Sequence, residues 1–141
     1  MVRRIPVALL LVLAVAALAL AGCAAPGKGA SLEGTRWTLA GWSVSSLHPE
    51  DFAITAEFTD GRIGGRAAVN WYGGEYKAGP GSAFQVGQTD RTLMAGPEDA
   101  MRAEDIYHKL LAQARQFRLE GDALTLSDVN GNALLIFAAA E

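Results

Sequence analysis

Hydrophobic and polar positions follow three different patterns along the chain. From Ile5 to Ala21 every residue is apolar except one proline, and Arg3 and Arg4 precede the run. Beyond Leu32 the apolar residues come in short alternating stretches separated by turn signals. Trp37, Leu39 and Trp42 mark a first strand region. Phe52, Ile54, Ala56 and Phe58 alternate with Ala53, Thr55, Glu57 and Thr59, the period of a strand buried on one face. Asp60-Gly61 offers a hairpin turn into Arg62–Gly65, because Gly61 accepts positive φ without a Cβ clash. Further β segments are expected at 67–71, 75–78 and 83–87, with a turn at Gly79-Pro80-Gly81. Pro97 to Arg115 changes period: Ala100, Ala103, Tyr107, Leu110, Leu111 and Ala114 follow the spacing of three and four that defines one face of a helix. Pro97 suits its first turn, Glu98 and Asp99 complement the positive end of its dipole, and Asp105 with Lys109 forms an i,i+4 pair. Alternation then returns through Phe117 and Leu119, Leu124 and Leu126, Leu134 and Ile136, with turns at Gly121-Asp122 and Asn130-Gly131.

Sheet, helix, sheet with short connections predicts an α+β domain: a compact, strongly curved, mostly antiparallel sheet or small barrel covered by one helix. The N-terminal run has another destiny. A short basic stretch followed by an apolar run is the layout of a secretory signal. The run falls just short of the roughly 20 apolar residues that span a bilayer. Leu20-Ala21-Gly22-Cys23 then resembles the bacterial lipobox, in which a cysteine thiol is lipidated and the chain is cut just before it. The expected organisation is a signal peptide over 1–22, the lipidated Cys23 and a small-residue tether over 23–31, and one domain over 32–141. A tether this short holds the domain near the bilayer. Ala24 in place of an aspartate points to the outer membrane if the source has two membranes. The expected location is therefore the bacterial cell envelope, lipid-anchored.

Composition narrows the chemistry. The 141 residues carry 12 Lys+Arg against 15 Asp+Glu, a net charge of −3 that becomes −5 once Arg3 and Arg4 are removed. A mildly acidic domain lacks the broad basic footprint of a nucleic-acid binder. One cysteine forbids an intrachain disulfide, and one cysteine with two histidines makes a zinc centre or other metal site unexpected. No cofactor is expected.

Catalytic constellations are equally thin. None of Ser31, Ser43, Ser45, Ser46, Ser82 and Ser127 lies in a Gly-x-Ser-x-Gly elbow. His48, beside Asp51, reads as a loop histidine. His108 reads as a surface partner of Glu104 on the helix's polar side. Asp128-Val129-Asn130-Gly131-Asn132 places its glycine too early for a calcium loop, so a hairpin turn is expected. Gly61–Gly81 lacks the Gly-Lys-Ser/Thr of a phosphate loop. Trp71, Tyr72 and Tyr76 remain as a binding face, with a half-buried core cluster as the competing account.

The domain resembles META domains, the family of HslJ-like bacterial lipoproteins. Leu32-Glu33-Gly34-Thr35-Arg36-Trp37-Thr38-Leu39 is similar to the family's opening. The central Gly-x-x-Gly-Cys-Asn-x-Tyr-x-Gly-x-Tyr appears as Gly65-Arg66-Ala67-Ala68-Val69-Asn70-Trp71-Tyr72-Gly73-Gly74-Glu75-Tyr76. Thr92-Leu93-Met94-Ala95-Gly96, followed by Glu104 before Tyr107, resembles Thr-x-Met-Ala-Cys and the glutamate of the next helix. Leu124-Thr125-Leu126-Ser127-Asp128 resembles the closing strand. Val69 and Gly96 stand where the family has cysteines, and Ala68 where it has glycine. Both cysteines are lost together, as expected if they were partners or shared a redox role, and no thiol chemistry is expected at these positions. The resemblance implies a curved sheet with one helix and a non-enzymatic role tied to envelope stress and antibiotic tolerance. It implies that Asn70, Gly74, Thr92, Met94 and Glu104 define the fold. No catalytic residue carries over. The expected partners are the membrane, through the lipid on Cys23, and an envelope protein or an apolar ligand. A lipocalin-like carrier of a small hydrophobic molecule is the alternative, and a hydrolase ranks last.

Overall fold

The computed structural model describes residues 30–44 and 46–141; the expected signal segment, Cys23 and most of the expected tether lie outside the described residues. Eight strands, β1 Thr35–Trp42, β2 Thr55–Thr59, β3 Arg62–Ala67, β4 Asn70–Ala78, β5 Phe84–Arg91, β6 Gln116–Glu120, β7 Ala123–Ser127 and β8 Ala133–Ala139, form one sheet. Its order is β5-β4-β3-β2-β1-β8-β7-β6 and every pairing is antiparallel. The helix α1, Glu98–Gln113, connects β5 to β6. The two edges meet at one end, where Ala83 bridges Gln116 and the Phe84 amide donates to the Arg115 carbonyl at 2.8 Å. Along the rest of the seam α1 packs on β3, β5 and β8. The result is a curled half-barrel closed by one helix.

The alternation in the sequence decides which face lies inside. Trp37, Leu39, Ala56, Phe58, Ile63, Leu124, Leu126 and Phe137 are all buried, and Tyr107 and Leu111 enter from the helix. Phe58, Tyr76, Phe84 and Phe117 form a run of edge-on and stacked rings across the interior. Aromatic pairs at such spacing add stabilisation beyond their buried area. The interior is thus occupied by side chains.

Four expectations need correction. The Phe52–Thr59 alternation begins as a strand only at Thr55, because Pro49–Phe52 is a 3₁₀ turn and Ala53 adopts φ +49. Ile54, Ala56 and Phe58 keep the expected inward face. The segment expected at 67–71 divides between the end of β3, a turn and the start of β4, and that at 75–78 lies in the same β4, which runs unbroken through Gly73-Gly74 in register with Gly64 and Ile63. Its hairpin with β3 turns instead at Ala68-Val69, with Ala68 at φ +72. Neither residue type announces a turn. On β8 the inner face is Leu135 and Phe137, whereas Ile136 is 41% exposed and lies over Gly41 on the outside. A register shift in β1 between Leu39 and Gly41 accompanies that change of face. Finally, Asp105 pairs with Arg91 at 3.7 Å, on β5, rather than with Lys109.

Two turns follow the sequence closely. Asp60 and Gly61 both take positive φ, +54 and +70, the geometry a two-residue hairpin needs. Asp128 accepts hydrogen bonds from the amides of Asn130 at 2.8 Å and Asn132 at 2.9 Å, and from the Asn132 side chain at 2.9 Å. Those donors, the Asn132 side chain foremost, hold its carboxyl below the usual carboxylate range. The aspartate is spent on closing a loop, as a hairpin requires.

Candidate functional site

Asn70 opens β4 directly after the Ala68-Val69 turn, where the chain crosses beneath α1. Both Asn70 and Glu104 are buried, 2% and 1% exposed. The Glu104 carboxylate accepts from the amides of Val69 at 3.1 Å and Asn70 at 2.7 Å, and from the Asn70 side-chain amide at 2.8 Å. A buried carboxylate is tolerated only when hydrogen bonds replace its lost water. Here the tight turn supplies two of them and Asn70 the third. The helical spacing placed Glu104 on the surface beside His108. The structure corrects this, because the β3–β4 turn, not solvent, lies over that face.

The other side of Asn70 holds a loop. Its carbonyl oxygen accepts from the Thr92 hydroxyl at 2.8 Å and the Met94 amide at 2.6 Å, while its amide donates to the Met94 carbonyl at 3.1 Å. Thr92 is fixed further by Trp71, whose amide donates to the Thr92 hydroxyl at 3.1 Å and whose carbonyl accepts the Thr92 amide at 3.0 Å. Asn70, Thr92, Met94 and Glu104, separate in sequence, are therefore one network. Its outer product is a short pinned segment, Thr92–Pro97, that is exposed throughout. Leu93 is 90% exposed, Met94 49% and Trp71 59%. Two open concavities flank this segment. One, of about 250 Å³, lies against α1 and includes Met101, Glu104 and Asp105. The other, of about 490 Å³, lies against Phe52, Arg66 and Val69.

The three aromatics expected to share a binding face are divided. Trp71 points to solvent, Tyr72 is buried and Tyr76 is half-buried. The Tyr72 hydroxyl donates to the Thr55 carbonyl at 2.9 Å and lies 2.6 Å from the Tyr107 hydroxyl. Burial pushes both phenols well above their ordinary pKa. Tyr76 donates to Glu33 at 2.9 Å, and burial, then that hydrogen bond and the carboxylate's charge, push its phenol up to about 12. Glu33 also accepts from the Asp60 and Gly61 amides, so one exposed carboxylate ties the chain entry to the β2–β3 turn. Gly74, on the same strand, is a packing position. A Cβ there would lie 2.8 Å from the Gln88 carbonyl and 3.0 Å from the Thr89 methyl.

The two histidines stand apart. His48 is exposed before the 3₁₀ turn. His108 is half-buried against the rings of Tyr72 and Tyr107, at centroid separations of 5.5 and 5.7 Å, with Nε2 buried and without a hydrogen-bond partner among the described residues. Its expected place on the polar side of α1 is thus corrected. Desolvation and then the nearby Arg91 charge lower its pKa, against the opposing pull of Glu104 and Asp105. Sequence reasoning missed Leu93 as an exposed position. No periodicity in the sequence signals it, because the loop's position depends on Asn70, distant in the chain, binding the Met94 peptide.

The described part of the molecule is thus a curled eight-stranded antiparallel half-barrel, sealed by one helix whose buried glutamate holds Asn70, the residue that in turn pins an exposed apolar loop. The chain belongs to the META domain family, whose model matches residues 30–141. Among solved structures it is similar to the NMR structure of a protein from Burkholderia xenovorans, with TM-score 0.64, 21% identity, and coverage of 77% of this chain and 83% of that one. It is also similar to the crystal structure of a DUF4847 family protein from Bacteroides vulgatus, with TM-score 0.56, 11% identity, and coverage of 74% and 92%. At these identities the likeness is one of fold. A search of curated proteins returned no match.

Proposed function

We propose that this chain is a non-enzymatic, lipid-anchored protein of the bacterial envelope that binds another envelope protein through Trp71, Leu93 and Met94, with a stress-protective role. One observation carries the reading. Asn70, Thr92, Met94 and Glu104, which match the family motif, are bonded to one another and hold an apolar loop out in solvent. Leu93 and Met94 are adjacent and exposed on this loop, with Trp71 exposed on the strand that holds it; contiguous apolar surface marks interaction sites, and a loop ordered before binding loses less entropy on docking. The lipobox and short tether support anchoring through Cys23. The carrier alternative would need an apolar cavity inside the sheet, and Ile54, Phe58, Leu124 and Phe137 fill that space.

The test is a photo-crosslinking amino acid at Leu93 in living cells, with labelling by a palmitate analogue run alongside. A discrete crosslinked partner is expected, with a yield at least fivefold lower when Trp71→Ala is added. Cys23→Ala is expected to abolish the lipid label. A crosslinking pattern indifferent to Trp71→Ala would overturn the loop as the binding element.

A further inference from the structure

The pinned loop presents backbone as well as side chains. Thr92 and Met94 turn their peptide groups inward, to Trp71 and Asn70. Among the described residues no hydrogen bond involves the amide or carbonyl of Leu93 or Ala95. Alternation by two is the signature of a strand, with one edge bonded and the other free. The segment continues β5, whose last paired residue, Arg91, lies opposite Tyr72. Asn70 stands in for the missing neighbour, its carboxamide bonding the Met94 peptide as a partner strand would. Natural edge strands are usually covered, bulged or blunted by charge. This one ends in an exposed leucine.

We propose that Leu93–Ala95 is a strand-addition site that accepts an extended segment of a partner protein, apolar at alternate positions and carrying a lysine or arginine. This rests on the loop being the partner-binding element and specifies what the partner presents. Each of the two free residues offers one donor and one acceptor. The concavities of about 250 and 490 Å³ on either side receive the alternate side chains, as when an edge strand recruits a peptide. Charge selects the basic residue. Among the residues lining the smaller concavity, Arg91 stands against two carboxylates, the exposed Asp105 at 3.7 Å and the buried Glu104 behind it, so the lining is net negative and Asp105 is the carboxylate open to a cation. Met101 and Leu93 line the same concavity and suit the methylene stem of a long cationic side chain.

The test uses the full chain in detergent micelles and a random octapeptide library displayed on phage. Selected peptides are resynthesised with N-methyl groups on one or the other set of alternate amides. One set is expected to weaken binding at least tenfold and the other less than threefold. Binding is expected to slow hydrogen exchange of the Leu93 and Ala95 amides at least tenfold. Selected sequences are expected to carry a Lys or Arg whose replacement by norleucine weakens binding at least threefold. A selection without binders, equal tolerance of both methylation patterns, or unchanged exchange at Leu93 and Ala95 would overturn strand addition. Binding unaffected by norleucine would overturn the basic residue. If crosslinking through Leu93 persists while strand addition fails, side chains alone mediate docking; if both fail, the loop is not the binding element.

Discussion

Glu104 and Asp105 are neighbours on α1 with the same charge and opposite circumstances. Glu104 is buried and accepts three N–H donors, whereas the Asp105 side chain is 73% exposed and meets Arg91 at 3.7 Å. Removing the Glu104 carboxylate strands the Asn70 amide and one Asn70 side-chain N–H, each costing about 1–3 kcal/mol when buried and unpaired, while the Val69 amide keeps the Ala67 carbonyl at 3.0 Å. Glu104→Ala is therefore expected to lower the urea-unfolding free energy by about 3–5 kcal/mol, with part of the loss recovered as the turn relaxes. Asp105→Ala is expected to change it by less than about 1 kcal/mol, because an exposed ion pair is worth little. Equal effects of the two would show that the network is not holding the turn.

At the scale of elements, the β3–β4 turn and the loop leading into α1 meet at one contact. A Cβ on Gly96 would lie 2.7 Å from a Val69 methyl and 3.4 Å from the Val69 Cβ. The first distance forbids a side chain at 96 while valine is present. The second lies close to the roughly 3.5–4.5 Å between the Cβ atoms of a disulfide. The two positions where the resemblance places cysteines are thus adjacent in space, and valine opposite glycine fills the volume instead. Gly96→Cys alone is expected to destabilise. Val69→Cys with Gly96→Cys is expected to form a disulfide, seen as a linked peptide in non-reducing mass spectrometry, and to raise stability by about 3–4 kcal/mol in the chain-entropy account. Failure to link under mild oxidation would show that the turn and loop are not held at this separation.

The whole molecule carries its pH response in a few groups. Since the folded pKa of His108 is depressed, the unfolded chain binds more protons, and stability rises with pH across the interval between the two values. Its contribution is complete above the unfolded value near 6.5 and is lost as pH falls through the lower folded value. Glu33, lowered mainly by Tyr76, and Asp128, lowered mainly by Asn132, act in the same direction in a more acidic window, starting from 4.5 and 3.8 respectively. Denaturant titrations between pH 7.5 and 5 are expected to show stability falling on acidification, with a flatter slope in His108→Gln. An unchanged slope in that variant would assign the effect elsewhere.

The sequence by itself determined the periods, and with them most of the fold. Ile54, Ala56 and Phe58 face inward because alternation leaves no other apolar face, and Ala103, Tyr107 and Leu111 do so because three-and-four spacing defines one helical stripe. Asp60-Gly61, Gly121 and Gly131 turn where positive φ is accessible. Tertiary structure decided whatever depended on a neighbour distant in the chain. Ile136 faces out because β7 pairs it with Thr125, between Leu135 and Phe137, whose partners Leu126 and Leu124 are buried. Glu104 is buried because a turn 34 residues earlier brings amides to it. The loop that carries the exposed Leu93 is placed by Asn70, which binds the peptide group next to it. Periodicity reports a residue's own element, while a buried charge or an exposed leucine depends on which unsatisfied donors and acceptors the folded chain brings within about 3 Å.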